Sequence, residues 1–331
     1  MRFTIDDFFR NGAVLPHSKP INIYGSGEGE ISVTLNGETV TATAENGKWR
    51  GVLPSMECGG PYTLKATCGV ETLTAEDIYI GEVILLLGQS NLQFKIHEST
   101  EANDIYEDND LLRLYTIDRP EEGEYFKAAD GWVKATAQGI QNWSAIGYHL
   151  ANELNRQKEI AVGLIACYQG ASKIQSWLPK EIAASDVFCL CDDLKHPDHK
   201  EYYMWNYDGF LYDFSLSKLF PYSLSHVVYY QGESNTAMAE AERFDKMLCA
   251  LIEHIREKTY DADLPVTVVQ IADFLTRNDE AWRAVQQAQL NVQSLTHNVK
   301  TVICADVCEN DNIHPPTKRP LAIRIAKSFD N

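Results

Sequence analysis

The feature that most constrains the fold is a run of five apolar residues, 83–87 (VILLL), which ends at Gly88 and is soon followed by Ser90. An uninterrupted apolar run of this length is typical of a strand buried on both faces of a parallel sheet. In open α/β sheets, ligands bind beyond the carboxyl ends of the strands. The run therefore predicts that Ser90 lies at the functional edge of a sheet, although an ordinary polar turn after a strand would look the same.

Strand and helix patterns alternate from about residue 76 to the end of the chain. Apolar strand patterns cover residues 83–87, 160–166, 226–230, 264–271 and 299–305, and helical spacing covers residues 143–157, 205–220, 239–258, 279–295 and 317–329. This alternation implies right-handed βαβ units. We therefore predict an α/β domain with a five-stranded parallel sheet over residues 76–331. Residues 98–137 and 178–203 are weakly periodic and are predicted to be long loops or small insertions.

Residues 1–75 show a different pattern, in which short alternating strands are separated by turn residues. Asn36-Gly37 and Asn46-Gly47 tolerate the positive φ angles that tight hairpins need. The spacing of these strands predicts a small β-sandwich domain. It carries no recognisable catalytic constellation.

Composition and charge argue against several classes of partner. The 331-residue chain is 44% apolar and has a formal net charge of −18. Binding to nucleic acid or to an anionic membrane requires clustered Lys and Arg, which this balance disfavours. Neither a signal peptide nor a membrane-spanning run is visible. We therefore expect a cytoplasmic protein, or a secreted one if a leader has been removed.

The eight cysteines are scattered along the chain and are expected to be reduced thiols. Cys189 with Cys191, and Cys304 with Cys308, are the pairs that could be offered as metal ligands. Neither pair has the C-x-x-C spacing of a common zinc motif. We predict no metal site.

Polar residues and glycines follow the predicted strands at one edge of the sheet. A serine hydroxyl is a poor nucleophile until a base takes its proton, and histidine has a pKa suited to that task. Asp311 precedes His314 by three residues, so its carboxylate could orient the imidazole of His314 in a turn. The pair Asp193 and His196 has the same spacing in a charged loop, which shows how readily chance produces it.

A tetrahedral intermediate also needs hydrogen-bond donors for its oxyanion. Gly170, after the second strand, could offer its backbone N–H, and Gln231 or Asn235, after the third, could offer a side-chain amide. Glu233 has a structural interpretation, as a cap or a hydrogen-bond acceptor, and a functional one, as a second acid near the histidine or a clamp on the Ser90 loop.

Three blocks resemble those of the SGNH (GDSL-like) hydrolases: residues 88–91 (GQSN), 230–235 (YQGESN) and 311–315 (DNIHP). The nearest resemblance is to the sialate O-acetylesterase and acetylxylan esterase group. It extends to residues 59–62 (GGPY) and 143–148 (WSAIGY), and so covers nearly the whole chain. The G-x-S-x-G elbow of the α/β-hydrolases is absent, because Leu92 occupies the place of its last glycine.

The resemblance implies a flavodoxin-like, three-layer α/β/α catalytic domain and a serine esterase that releases acetate from an acetylated sugar. Neither a metal nor an organic cofactor is implied. Ser90 would be the nucleophile, His314 the base and Asp311 its orienting acid, with Glu233 as the alternative acid. The partner would be a small-molecule or oligosaccharide acetyl ester.

The resemblance also implies an oxyanion hole formed by the Ser90 N–H, the Gly170 N–H and the Gln231 side chain. Four residues would contact the substrate or support the site: Gln89, Asn91, Glu233 and Asn235. Aromatic side chains of the long loops could stack against a sugar ring or simply pack the loops: Trp177, Tyr202, Tyr203 and Trp205.

Two other interpretations stay open, a general short-chain or lipase-like esterase and a carbohydrate-binding relative that has lost catalysis. The chain departs from the family at Leu92-Gln93-Phe94, where Met-Glu-Trp is usual, and at Ala171, where a second glycine is usual. We expect specificity to arise just past the nucleophile. The sequence does not specify which acetylated sugar or hydroxyl is used, nor the oligomeric state.

Overall fold

The chain is built around one long strand, β8 (Glu71–Gly88). The computed structural model describes residues 3–120, 125–126, 131–185, 188 and 203–330. The strands that precede β8 are short: β1 (Thr4–Ile5), β2 (Val14–Pro16), β3 (Ile21–Ser26), β4 (Glu30–Leu35), β5 (Glu38–Thr43), β6 (Lys48–Leu53) and β7 (Gly59–Cys68).

These first strands form two antiparallel groups, one containing β1, β3 and β6 and the other β5, β4, β7 and the start of β8. The β4–β5 turn contains Asn36 and Gly37 at φ angles of 50° and 84°, as an Asn-Gly hairpin requires. Strand β2 pairs in parallel with the middle of β8. The division of the chain at residue 75, and a separate β-sandwich before it, stay predictions; β8 itself runs across that boundary.

The elements after β8 are α1 (Ser90–Gln93), β9 (Asn109–Thr116), β10 (Arg119–Pro120), β11 (Tyr125–Phe126), β12 (Val133–Ala135), α2 (Ala145–Lys158), β13 (Val162–Tyr168), α3 (Ile174–Trp177), α4 (Lys180–Ala183), α5 (Phe210–Phe214), β14 (His226–Tyr230), α6 (Met238–Ala241), α7 (Phe244–Thr259), β15 (Val266–Val269), α8 (Glu280–Leu295), β16 (Val299–Val302) and α9 (Arg319–Lys327). From α2 onward, these elements alternate between strands and helices, as predicted, whereas four strands, β9 to β12, come in succession before it.

The central sheet has the strand order β12-β9-β13-β8-β14-β15-β16. The five predicted strands are neighbours in it and stand in the order 2-1-3-4-5, which is the order of flavodoxin-like sheets. The predicted number of parallel strands is too small, because β9 pairs in parallel with β13 as a sixth. Strand β12 adds an antiparallel edge to β9. The chain is therefore a mixed α/β protein, and a three-layer arrangement stays a prediction.

Strand β9 lies in a segment predicted to be a long loop or a small insertion, and a buried charge explains why its strand pattern was not recognised. Arg113, in the middle of β9, is fully buried. Its guanidinium donates to Asp77 Oδ2 at 2.9 Å and to the Gly12 carbonyl at 3.2 Å. Because both partners are distant in sequence, the pattern alone made β9 look like a polar loop.

The predicted helices are observed where an apolar stripe runs without interruption along the whole segment. Helix α2 begins after Ser144, whose hydroxyl accepts from the Gly147 N–H at 3.0 Å, a typical N-cap. The single helix predicted over residues 205–220 is wrong, because only α5 is α-helical there and Gly209, at φ 77°, interrupts the segment. The helix predicted over residues 239–258 is divided into α6 and α7. None of the helices in the described ranges is long and apolar enough to cross a membrane.

Three strand ends meet at the same edge of the sheet. Gly88 is in register with Tyr168 of β13 on one side and Tyr230 of β14 on the other. A Cβ on Gly88 would lie 2.1 Å from the Tyr230 carbonyl oxygen, so only glycine fits there. The chain that continues into Ser90 therefore emerges between the turns that follow β13 and β14.

Candidate active site

Ser90 and His314 come together at the carboxyl end of β8. Ser90 is the first residue of α1, and His314 lies between β16 and α9. His314 Nε2 is 2.8 Å from Ser90 Oγ, a hydrogen-bond distance between residues 224 positions apart in the chain. With Nε2 unprotonated, the serine hydroxyl donates to it, which is the arrangement a general base needs.

The surroundings of His314 favour its neutral form. Burial, followed by the positive charge of Lys318, lowers the pKa of the imidazole, and Glu98 acts in the opposite direction. A neutral imidazole at neutral pH can accept the proton of Ser90. The loop that carries His314 is fixed locally, because the His314 N–H donates to Asn312 Oδ1 at 2.9 Å.

The Asp311 carboxylate does not hydrogen-bond to the imidazole of His314. The Asp311 side chain is exposed, and it makes no hydrogen bond or ion pair with any residue in the described part of the chain. The neighbouring Asn312 side chain does form a hydrogen bond in this loop, but its Oδ1 accepts from the backbone N–H of His314 and not from the imidazole ring. The predicted orientation of His314 by Asp311 is therefore not seen.

Glu233 is buried next to helix α1, which carries Ser90. Its Oε1 accepts from Asn91 Nδ2 at 2.6 Å, and its Oε2 is buried without a partner among the described residues. Burial raises the pKa of this carboxyl, while the bond from Asn91 and the charge of Lys318 lower it. Glu233 thus hydrogen-bonds to Asn91 and not to His314 in the part of the chain that the structure describes.

Asn91 joins both parts of the site. Besides Glu233, its Nδ2 donates to the Ile313 carbonyl at 2.9 Å, and its Oδ1 accepts from Lys318 Nζ at 2.8 Å. One buried amide therefore ties the turn after Ser90 to the residue immediately before His314.

Lys318 is a member of the site that the sequence analysis missed. It is fully buried, its Nζ lies 4.8 Å from the centre of the Phe94 ring, and burial lowers its pKa to about 8. The available signal was weak: a lysine four residues after His314, in a segment predicted to be helical, normally faces solvent.

Two backbone N–H groups lie beside Ser90. The Ser90 N–H has no hydrogen-bond partner among the described residues, because it stands at the start of α1. Gly170, in the turn after β13, is close: a Cβ built on it would lie 3.8 Å from the Ser90 Cβ. The Gly170 N–H donates to Gln93 Oε1 at 2.8 Å, a contact that the sequence did not reveal.

Gln231 does not donate to an oxyanion, so that prediction is wrong. Its side chain is fully buried, and its amide nitrogen donates to the Ser172 carbonyl at 2.9 Å and to Asn235 Oδ1 at 2.8 Å. Its Oε1 accepts from the Tyr229 hydroxyl at 2.7 Å. Because both amide hydrogens are used, Gln231 supports the turn that carries Gly170.

Asn235 and Gln89 also hold the turns that carry the site residues. Asn235 Oδ1 accepts from the Ile174 N–H, and its Nδ2 donates to Gln175 Oε1 at 2.8 Å. The Gln89 N–H donates to the Tyr230 carbonyl at 3.0 Å, which fixes the residue before Ser90. Both side chains are buried, so neither is placed to contact a substrate.

The candidate sugar-stacking residues are mostly packing residues. Trp177 is buried and donates to Ser172 Oγ at 3.0 Å, and Trp205 is buried against Tyr203 with ring centres 4.5 Å apart. Tyr202 lies outside the described residues, as do Cys189 and Cys191. Within the described ranges, no cluster of three or more His, Cys, Asp or Glu side chains could hold a metal ion.

Comparison with known proteins identifies relatives over almost the whole chain. Residues 80–330 match the family model described as carbohydrate esterase, sialic acid-specific acetylesterase. The human sialate O-acetylesterase is 25% identical over 372 aligned residues, which cover 98% of this chain and 69% of that protein. The rat sialate O-acetylesterase is 22% identical, with 91% of this chain and 68% of that protein covered.

Solved structures agree on the fold. A carbohydrate acetylesterase from Xanthomonas citri superposes with a TM-score of 0.83 at 24% identity, covering 98% of this chain and 74% of that one. A protein from Arabidopsis thaliana superposes with a TM-score of 0.51 at 18% identity, covering 75% of this chain and 97% of that one.

Proposed function

The chain belongs to the carbohydrate esterase family of sialic acid-specific acetylesterases, and we propose that it removes O-acetyl groups from sialic acids by a two-step acyl-enzyme route. Membership in the family, together with the sialate O-acetylesterases among its relatives, makes it a carboxylic ester hydrolase that acts on acetylated carbohydrates. The choice of sugar and the roles of individual residues are the proposal.

In the first step, Ser90 Oγ attacks the carbonyl carbon of the acetyl ester while its proton passes to His314 Nε2. The negative charge that develops on the carbonyl oxygen is stabilised by the N–H groups of Ser90 and Gly170. The bond between the carbonyl carbon and the sugar oxygen then breaks, and the sugar oxygen takes the proton from His314. Acetyl-Ser90 remains, and the deacetylated sugar leaves.

In the second step, water attacks acetyl-Ser90 while His314 Nε2 takes one of its protons. Collapse of the second tetrahedral intermediate releases acetic acid, which ionises to acetate, and returns the proton to Ser90 Oγ. His314 thus serves as base and acid in turn, which requires a pKa not far from the working pH.

The observation that carries the proposal is the 2.8 Å contact between Ser90 Oγ and His314 Nε2 beside the Gly170 N–H. No carboxylate in the described part of the chain hydrogen-bonds to the imidazole. We infer that Asn91, with Glu233 and Lys318 behind it, holds the His314 loop by its bond to the Ile313 carbonyl.

Replacement of the nucleophile tests this directly. Ser90→Ala should lower kcat for p-nitrophenyl acetate by about 10⁴-fold or more, as loss of a triad member does. The matched control is Ser55→Ala, because Ser55 is exposed and remote from the site. Near-normal activity of Ser90→Ala would overturn the mechanism.

A substrate screen tests the specificity. Acetate release should be fastest from O-acetylated sialic acids, compared with acetylated xylan and acetylated hexoses at equal ester concentration. Faster hydrolysis of longer acyl chains than of acetyl would instead favour the general short-chain or lipase-like esterase.

A further inference from the structure

The side chain of Gln93 accepts a hydrogen bond from the Gly170 N–H, a donor that the proposed reaction needs. Gln93 lies three residues after Ser90, so that both side chains project from the same side of the short helix α1. Its side-chain carbonyl oxygen accepts from the Gly170 N–H at 2.8 Å, next to the Ser90 Cβ. The acceptor is chemically similar to the carbonyl oxygen of an ester.

We propose that the Gln93 side chain fills the oxyanion site of the free enzyme and that the ester carbonyl must displace it from Gly170 before Ser90 can react. The inference rests on the proposed function, because it takes Ser90 as the nucleophile and the Gly170 N–H as an oxyanion donor. Gln93 is then a residue that sets KM: it weakens productive binding of every acyl substrate by competing for one donor.

The side chain of Gln93 is able to move. It is only partly buried, and the bond from Gly170 is the one hydrogen bond its amide group makes with the residues that the structure describes. The contrast is Gln231, which is fully buried and held by three hydrogen bonds. Displacement of Gln93 therefore breaks one hydrogen bond and returns an amide to water.

The competition acts on binding and not on the later steps. When a ligand binds only one conformation of a protein, its apparent affinity is reduced by the fraction of molecules that are in that conformation. Once the acetyl carbonyl sits on Gly170, in the Michaelis complex and in acetyl-Ser90, Gln93 has already left. Removing the competitor should therefore lower KM and leave kcat unchanged.

The test compares the wild-type enzyme with Gln93→Met, which keeps the length of the side chain without a carbonyl acceptor, and with Gln93→Ala. For p-nitrophenyl acetate we expect KM to fall about two- to ten-fold, the factor that one ordinary hydrogen bond contributes to an equilibrium, with kcat within two-fold of wild type. Labelling of Ser90 by an organophosphonate should accelerate by the same factor, because the phosphonyl oxygen uses the same donor. The control, Gln287→Met, changes an exposed glutamine of α8 that bonds to Asn291 and should alter nothing.

A fall in kcat at constant KM in both Gln93 variants would overturn the inference, because it would mean that Gln93 positions the Gly170 turn for catalysis. Unchanged kinetics in both variants would overturn it as well. Either result, combined with an inactive Ser90→Ala variant, would leave the proposed function standing. An active Ser90→Ala variant would instead refute the proposed function itself.

Discussion

Replacement of Asn91 by alanine tests how the site is held together. The buried amide of Asn91 makes three hydrogen bonds: to Glu233 at 2.6 Å, to the Ile313 carbonyl at 2.9 Å and from Lys318 at 2.8 Å. Two of them involve a charged group, worth about 1.5–3 kcal/mol each, and the third is neutral, worth about 1 kcal/mol. Water that enters the vacated space restores part of this, so we expect Asn91→Ala to lower the free energy of unfolding by about 3–5 kcal/mol.

Asn91→Ala should also lose activity under conditions in which the variant is still folded. Without the bond to the Ile313 carbonyl, the neighbouring His314 is no longer fixed against Ser90. A misplacement of about 1 Å costs on the order of 10²-fold in rate, and kcat should fall by that factor. Urea unfolding followed by circular dichroism measures the stability, and p-nitrophenyl acetate hydrolysis far below the unfolding midpoint measures kcat.

The control is Asn291→Ala, because Asn291 is exposed on α8 and accepts a single bond from Gln287. It should change the free energy of unfolding by less than about 0.5 kcal/mol. If Asn91→Ala cannot be purified folded, Asn91→Asp keeps the shape and the contact with Lys318 but places a second acid on Glu233, and it should regain stability as the pH falls. A loss below 1 kcal/mol with unchanged kcat in Asn91→Ala would refute the role given to this residue.

Two further predictions concern the acids and the pH profile. Glu233→Gln should lower kcat more than Asp311→Asn, because Glu233 is bonded to Asn91 whereas Asp311 is exposed and makes no bond in the described part of the chain; a larger loss in Asp311→Asn would restore it as the orienting acid. Because burial and Lys318 lower the pKa of His314, kcat/KM should fall with decreasing pH only below the ordinary histidine value of about 6.5. Lys318→Gln, which removes that charge, should move this acid limb to higher pH, and an unmoved limb would show that Lys318 does not influence the base.

The parts of the fold that local pattern determines could be predicted from the sequence. Residues 83–87 and 227–230 are uninterrupted runs of apolar and aromatic residues, and both lie in central strands, where each of these residues is buried. Strand β9 could not be predicted, because Arg113 is neutralised by Asp77, and the pairing of a buried charge with a distant residue leaves no local signal. The broken helix around Gly209 was missed for a different reason: the apolar spacing of residues 205–220 is helical, but the backbone turn at Gly209 interrupts it.

The site shows the same limit at the level of side chains. Ser90, Gly170 and His314 could be found because each follows a strand of one sheet, and strand ends converge. The direction of a side chain depends on its neighbours, which the local sequence does not show. Gln231 was therefore predicted to donate to the oxyanion, although its amide donates to the Ser172 carbonyl and to Asn235 Oδ1. Lys318 was missed as a member of the site, and Gln93 was singled out only as a departure from the family, since nothing in the local sequence shows that one is buried and the other bonded to Gly170.

The most direct measurement of the central claim is covalent labelling of the nucleophile. The enzyme is incubated with a p-nitrophenyl organophosphonate, digested, and mapped by mass spectrometry, with His314→Ala and Ser90→Ala alongside. We expect a single adduct on Ser90 that forms in step with loss of esterase activity, that forms far more slowly in His314→Ala, and that is absent in Ser90→Ala. Loss of activity with the adduct on another residue would contradict the account.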